Sequence, residues 1–311
     1  MKGIAIDAHT TAEIPAAGEA LAAAPRAARE RAAAYVELTK PRITFLISLT
    51  TAAGFCLGSA GPLDYALLLN TLVGVSLLSS GIAALNQYME RDLDRLMRRT
   101  ASRPLPSGRL DAPKALAFGL LLTAGAEVFL VVAVNPLTAL VGLFTAAGYL
   151  LCYTPLKTKT TLSTFVGAFP GAAPPLFGWA AATGRLDLEA WVLFAILFLW
   201  QFPHFLAIAW MYREDYARAG VRMLPVVEPE GRMTGQQVVL WSLLLVPVSL
   251  FPVALGLSGK IYFFGALALG LAYLASSVAA AFSASRQNAR LLLLTSVLYL
   301  PFLFGLMVVN R

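Results

Sequence analysis

Asn86, Glu90 and Asp94 recur at every fourth position of the segment NQYMERDLDRLMRRTASRPLPSG, residues 86–108. On a helix this spacing puts three oxygen-bearing side chains in one column, while Asp92 points about 200° away from Glu90. Arg91, Arg95, Arg98, Arg99 and Arg103 follow in the same stretch, and Pro104 and Pro106 are expected to stop the helix. Hard oxygen ligands beside guanidinium groups suit Mg²⁺ holding a diphosphate, since Mg²⁺ takes one or two carboxylates and fills its shell with phosphate oxygens and water. The plainer alternative is a helix end at a membrane surface, with Glu/Arg pairs and topology-setting charge. Asn86 favours the metal reading, because an amide at the apolar end of the column is costly to bury.

A second segment of similar design reads WQFPHFLAIAWMYREDYARAGVRMLPVV, residues 200–227. Glu214 and Asp215 alternate there with Arg213, Arg218 and Arg222 at the end of an apolar run. Two such helix ends facing each other would hold two metal ions and a diphosphate between them. His204 lies nearly three turns deeper, directly after Pro203, which frees a backbone carbonyl. It is either a neutral imidazole bonded to that carbonyl, or a functional group: a contact to a large polar cofactor such as haem, or a proton carrier near a cation. The other histidine, His9, is in the N-terminal tail.

Tyr153, Thr154, Lys157 and Lys159 form a further polar cluster, whose lysines either clamp phosphate or only set topology. Gly167, Pro170, Gly171, Pro174, Pro175 and Gly178 crowd one apolar segment, where small and helix-breaking residues let helices bend around a cavity. Trp179, Trp200, Trp210 and the phenylalanines are candidates to line such a pocket, or are interface anchors.

These residues need a scaffold, and the composition names its solvent. Of 311 residues, 58% are hydrophobic and 13% charged, against about 25% charged in a soluble domain. Nine apolar segments reach the roughly 20 residues that cross a bilayer as helix, at roughly 43–60, 65–88, 115–134, 136–154, 162–182, 187–211, 236–257, 261–283 and 291–309. Without the alternation of barrel strands, the fold class is all-α: a polytopic bundle of nine transmembrane helices around a central cavity. Residues 1–35 read as a cytoplasmic tail, disordered or interfacial, and 36–311 as the single membrane domain. The net charge of +7 needs no nucleic acid: of the 24 Lys and Arg, all but Arg185, Lys260 and Arg311 fall on one side of the expected spans. That side is cytoplasmic by the positive-inside rule, which puts the N-terminus inside and the C-terminus outside a bacterial plasma membrane. Cys56 and Cys152 fall within spans and show no pairing or metal spacing.

With these features the chain resembles the UbiA superfamily of intramembrane prenyltransferases, from about Tyr35 to the last span. The superfamily's first motif, Asn-x-x-x-Asp-x-x-x-Asp, stands here as Asn86, Glu90 and Asp94. Glutamate at its centre, MRRT, RPLPSG, QFPHF, WMYREDYARAG, MLP at 223–225, KPRITFL at 40–46 and YTPLKTKT at 153–160 resemble the haem-prenylating branch. The second motif departs from the pattern: counting back from Gly220, Tyr216 and Tyr212 occupy its aspartate positions.

The resemblance implies that farnesyl diphosphate binds at the cytoplasmic face and that Mg²⁺ is the cofactor. Asn86, Glu90 and Asp94 with Asp215 are the expected catalytic set, and Glu214 joins them as a metal ligand. Arg91, Arg95, Arg98, Arg103, Lys157 and Arg218 are expected on the diphosphate, and His204 on haem B. The allylic cation then alkylates a haem vinyl group, and water completes the hydroxyethylfarnesyl side chain. Membrane lipid surrounds the protein, and a haem A synthase or an oxidase-assembly protein is the expected partner. An aromatic acceptor such as 4-hydroxybenzoate, or a secondary transporter, is the alternative reading.

Overall fold

The computed structural model describes residues 17–283 and 285–311, so His9 lies outside the described residues. Every regular element among them is helical. Helix α1 (Ala17–Leu38) runs through the second half of the expected tail and buries Ala34 and Leu38 against Ala84, Leu105, Leu110 and Ala115. Lys40 then takes φ 48° and ψ 60°, the left-handed conformation that residues with a Cβ rarely adopt, and Pro41 opens α2 (Pro41–Gly58). Helix α3 (Tyr65–Leu96) begins where the Asp64 carboxylate accepts the Leu67 amide at 2.9 Å. Helices α4 (Ala112–Ala133) and α5 (Pro136–Ala147) start with proline in the first turn, where its missing N–H leaves no helical bond unmade.

A π-helical turn, Gly148–Tyr153, leads into the short α6 (Thr154–Leu156). The fifth expected span is two helices in series, α7 (Ser163–Gly171) and α8 (Pro174–Thr183), broken at Ala172 and Ala173. Pro170, Pro174 and Pro175 account for the break, since none can donate a backbone bond. Then come α9 (Leu188–Met211), α10 (Arg213–Arg218), α11 (Leu224–Val227), α12 (Arg232–Ala254), α13 (Lys260–Phe282) and α14 (Arg286–Val309). Among the described residues 8 helical stretches are long and apolar enough to cross a membrane, and the broken α7–α8 pair stands in the place of the fifth of the nine expected helices.

Successive helices pack side by side, and α14 returns to touch α2, which closes the bundle. Helix α8 sits inside the ring against α2, α3, α5 and α9. Gly54 and Gly178 let α2 and α8 meet backbone to backbone; a Cβ on either would overlap Pro175 or Thr51 main-chain atoms. Leu121, Val132, Phe264 and Val309 project outward, as side chains in contact with lipid should.

The end of α3 differs from expectation. It stops at Leu96 rather than running to Pro104, because Thr100 Oγ1 donates to the Asp94 carbonyl at 2.9 Å and the Met97 amide closes a tight turn on the same carbonyl. A continued helix would carry Arg103 about 13 Å beyond Asp94. The turn brings it back.

Helix α4 also holds a charged residue with no part in that arrangement. Glu127 lies in a span beside Leu78 and Gly142, and its buried Oε1 has no hydrogen-bond partner. An unmade buried bond costs about 1–3 kcal/mol. Glu127→Met, an unbranched apolar side chain of similar length, is therefore expected to raise the melting temperature in detergent by about 2–4 °C per kcal/mol recovered. A lower melting temperature, measured by tryptophan fluorescence, would show that the carboxyl is structurally needed.

Candidate active site

One cavity of about 330 Å³ opens at the ends of α3 and α9, and the column lines it. Asn86, Glu90 and Asp94 are 2%, 8% and 1% exposed, so the carboxylates are buried far more than acids on an ordinary surface helix. Each is held from a different element. Lys40 Nζ donates to Asn86 Oδ1 at 3.3 Å, and Asn86 Nδ2 donates to Thr154 Oγ1 at 3.3 Å. Lys157 Nζ lies 2.5 Å from Glu90 Oε1, and Arg103 Nη1 donates to Asp94 Oδ2 at 2.7 Å. Asp94 Oδ1 is buried with no partner.

The cavity is cationic in sum. Lys40, Arg99, Arg103 and Lys157 line it against only Glu90 and Asp94. The Lys40 ammonium shows the consequence: burial first, then repulsion from Arg103 and Lys157, push its pKa down to about 8. Burial also disfavours the Lys157 ammonium, but Tyr153 and Glu90 more than offset it and hold its pKa above the usual lysine range. An anion would relieve this crowding.

The π-helical turn sets the opposite wall. Tyr149 and Tyr153 both line the cavity with their rings 5.1 Å apart, edge to face, and Lys157 Nζ sits 4.5 Å over the Tyr153 ring. The Tyr149 carbonyl accepts both the Thr154 backbone amide, in the wider spacing of the π-turn, and Thr154 Oγ1 at 2.9 Å. Gly167 and Gly171 of α7 line the cavity too, and a Cβ there would strike the Tyr153 ring or the Gln201 carboxamide. Gln201, itself a lining residue, donates from Nε2 to the Ala168 carbonyl at 2.8 Å.

His204 is in the same cavity as the column. It does not bond the carbonyl that Pro203 leaves free: its Nδ1 is 2.7 Å from Ser296 Oγ on α14. The imidazole stacks on Trp200 at 4.7 Å, so Trp200 supports the site from behind rather than lining it. Trp179 is buried and donates to Asp187, and Trp210 lines a separate cleft.

The second acidic pair is not where the sequence reading put it. Glu214 and Asp215 line an open cleft with Trp210, Tyr212, Arg213 and Arg286, not the cavity that holds the column. Helix α10 restarts after Tyr212 in a register that turns Tyr216 inward in place of Asp215. Arg99 fills that position: its guanidinium lies 5.2 Å from the Tyr212 ring and 5.9 Å from the Tyr216 ring, and donates to Tyr216 OH at 3.3 Å. Asp215 accepts from the Arg99 backbone amide at 3.3 Å and pairs with Arg218, so it fixes the loop that presents Arg99.

Of the arginines expected on a diphosphate, Arg103 reaches the cavity. Arg91 folds back onto Tyr88, Arg95 and Arg98 are exposed, and Arg218 stays with Asp215. Lys40, Arg99, Tyr149 and Gln201 were not among the expected site residues.

The donor set fits Mg²⁺. Among the described residues no three His, Cys, Asp or Glu side chains form a closed cage, and Mg²⁺ asks for none. What it needs is a carboxylate oxygen without a competing partner, beside room for phosphate. Asp94 Oδ1 supplies it.

Residues 47–307 match the sequence pattern of the UbiA prenyltransferase family. A protoheme IX farnesyltransferase from Solibacter usitatus is 54% identical over 89% of this chain and 98% of its own length. One from Koribacter versatilis is 46% identical over 89% and 93%. Among solved structures, a digeranylgeranylglyceryl phosphate synthase superposes with a TM-score of 0.76 at 18% identity, over 90% of this chain and 98% of its own. A UbiA homologue from Archaeoglobus fulgidus, bound to GPP and Mg²⁺, superposes with a TM-score of 0.62 at 16% identity, over 88% and 99%. At such identities the superpositions speak for the fold.

Proposed function

The chain belongs to the UbiA prenyltransferase family, and from that premise we propose that it transfers the farnesyl group of farnesyl diphosphate to a vinyl group of haem B, giving haem O and free diphosphate. It is a multi-pass membrane enzyme of the intramembrane prenyltransferase type. The observation that carries the reading is a single cavity with metal-ready oxygens and four cations beside His204. Relatives named for this reaction, at 54% and 46% identity, support haem over 4-hydroxybenzoate as the acceptor.

In this reading Asn86, Glu90 and Asp94 would hold Mg²⁺, which when bound neutralises charge that grows on the departing diphosphate. Lys40, Arg99, Arg103 and Lys157 bind the diphosphate oxygens and stabilise the same charge. Tyr149 and Tyr153 turn aromatic rings toward the place where the allylic cation forms, and help keep bulk water from it. Arg99 takes the place expected for the second acidic pair, and Asp215 positions it. His204 meets the acceptor. The excess of basic residues at the ends that carry the site makes that face cytoplasmic in a bacterial plasma membrane, with the C-terminus on the other side. The product then serves haem–copper oxidases.

The test is mass spectrometry of haem after incubating the purified protein with haem B, farnesyl diphosphate and Mg²⁺. Haem is expected to gain the mass of one molecule of farnesol. Unchanged haem, with a prenylated product when 4-hydroxybenzoate is supplied, assigns the aromatic acceptor instead.

A further inference from the structure

The diphosphate chemistry leaves His204 without a task, yet its ring is closely constrained. Ser296 Oγ is 2.6 Å from the Leu293 carbonyl and 2.7 Å from His204 Nδ1. A carbonyl can only accept, so the single Ser296 hydroxyl proton is committed to Leu293. Ser296 must then accept from His204, which puts the neutral ring's proton on Nδ1 and the lone pair on Nε2. The ring plane is fixed as well. Trp200 stacks on it, and Trp200 Nε1 donates to the Ser296 carbonyl at 2.9 Å, tying α9 and α14 together around the imidazole. This is how proteins orient a histidine for one task at its far nitrogen.

The acceptor chemistry supplies such a task. When the terminal vinyl carbon uses its π pair to form a bond to C1 of the prenyl group, the C1–O pair leaves on diphosphate and a cation remains on the vinyl carbon next to the porphyrin ring. Water closes that cation by donating an oxygen lone pair, and must lose a proton to become the hydroxyl. The step is redox-neutral and needs only a base.

We propose that His204 Nε2 is that base, and that Ser296 is the positioning residue that holds it in the accepting tautomer; the assignment rests on the haem-acceptor reading above. The same lone pair would suit haem iron, but the space argues otherwise. A cavity of about 330 Å³ is at the small end of the ~300–1,000 Å³ of ligand sites and also has to hold a diphosphate and an allylic head. The acceptor therefore enters by its vinyl edge, which brings the reacting carbon and not the iron toward His204.

The experiment counts hydrated haem product per diphosphate released, by mass spectrometry and a pyrophosphate assay, for the parent protein, His204→Ala, Ser296→Ala and Ser296→Thr. Loss of a general base typically costs about 10²–10⁴-fold, so the ratio is expected to fall by about 10² in His204→Ala. The remaining haem is then unreacted or one water lighter than the normal product. Ser296→Ala falls in the same direction by less, and Ser296→Thr, which keeps a hydroxyl, restores the ratio. A parental ratio in both alanine variants overturns the proposal. So does an altered Soret band of bound haem in His204→Ala at an unchanged ratio, which identifies an iron ligand. If the parent protein forms no haem adduct at all, the acceptor reading fails and takes this proposal with it; the variant outcomes remove this proposal alone.

Discussion

Asp94→Asn is expected to lower the rate of prenyl transfer by about 10³-fold, equivalent to roughly 4 kcal/mol of transition-state stabilisation. The substitution keeps the size of the side chain, and the Asp94 main-chain carbonyl still accepts from Thr100, so the turn that ends α3 is retained. What it removes is the charge of a carboxylate whose Oδ1 is buried and unpartnered, and whose Oδ2 holds Arg103 at 2.7 Å. An amide is a poor Mg²⁺ ligand beside a carboxylate. The loss should therefore fall on kcat, with a raised Mg²⁺ requirement, while gel filtration and haem binding stay close to the parent's. A rate within a few-fold of the parent's would refute the metal role.

Lys157→Met comes next, with an expected fall in kcat of about 10²–10³-fold, the usual cost of losing one preorganised group that stabilises developing negative charge. Its ammonium lies 2.5 Å from Glu90, so the variant also leaves that acid without its counter-charge. This separates a chemical role from a folding defect. With the competing cation gone, Mg²⁺ should bind more tightly even as turnover falls, and a Mg²⁺ titration of diphosphate release reads both. Reduced turnover with weaker Mg²⁺ binding would point to a disordered site, and unchanged turnover would take Lys157 out of the chemistry.

The column was legible in the sequence because its members share one helix, and fourth-residue spacing aligns them whatever surrounds that helix. His204 was legible because a histidine in an apolar run needs a reason. Lys40 was not: it is 46 positions from Asn86 on another element, and its left-handed backbone, which aims it at the cavity, leaves no mark in composition. Arg99 and Arg103 were visible as charges, but their contacts depend on α3 stopping at Leu96, where the Thr100 hydroxyl and the Met97 amide both turn onto the Asp94 carbonyl. Tyr149 depends on a π-helical turn, which shifts the register that regular helical counting assumes. The exchange of Asp215 for Tyr216 has the same origin on a smaller scale, since neighbouring helical residues differ by about 100° in direction, and the restart of α10 chooses between them.

The two ion pairs of the cavity, Glu90 with Lys157 and Asp94 with Arg103, carry a thermodynamic consequence. On the proposed function, a metal ion arriving alone finds Asp94 Oδ1 open but both acids already charge-paired, Glu90 with an ammonium and Asp94, through Oδ2, with a guanidinium. A diphosphate arriving alone must draw those cations away from buried acids. Arriving together, each gives the other's displaced partner a new one, so every charge that loses a contact gains another. The free energy of binding both then exceeds the sum of binding each, and by linkage the coupling is reciprocal. On the proposed function, the resting salt bridges would act as a coincidence detector that favours the metal–diphosphate complex over either component, and would keep the two acids paired between turnovers.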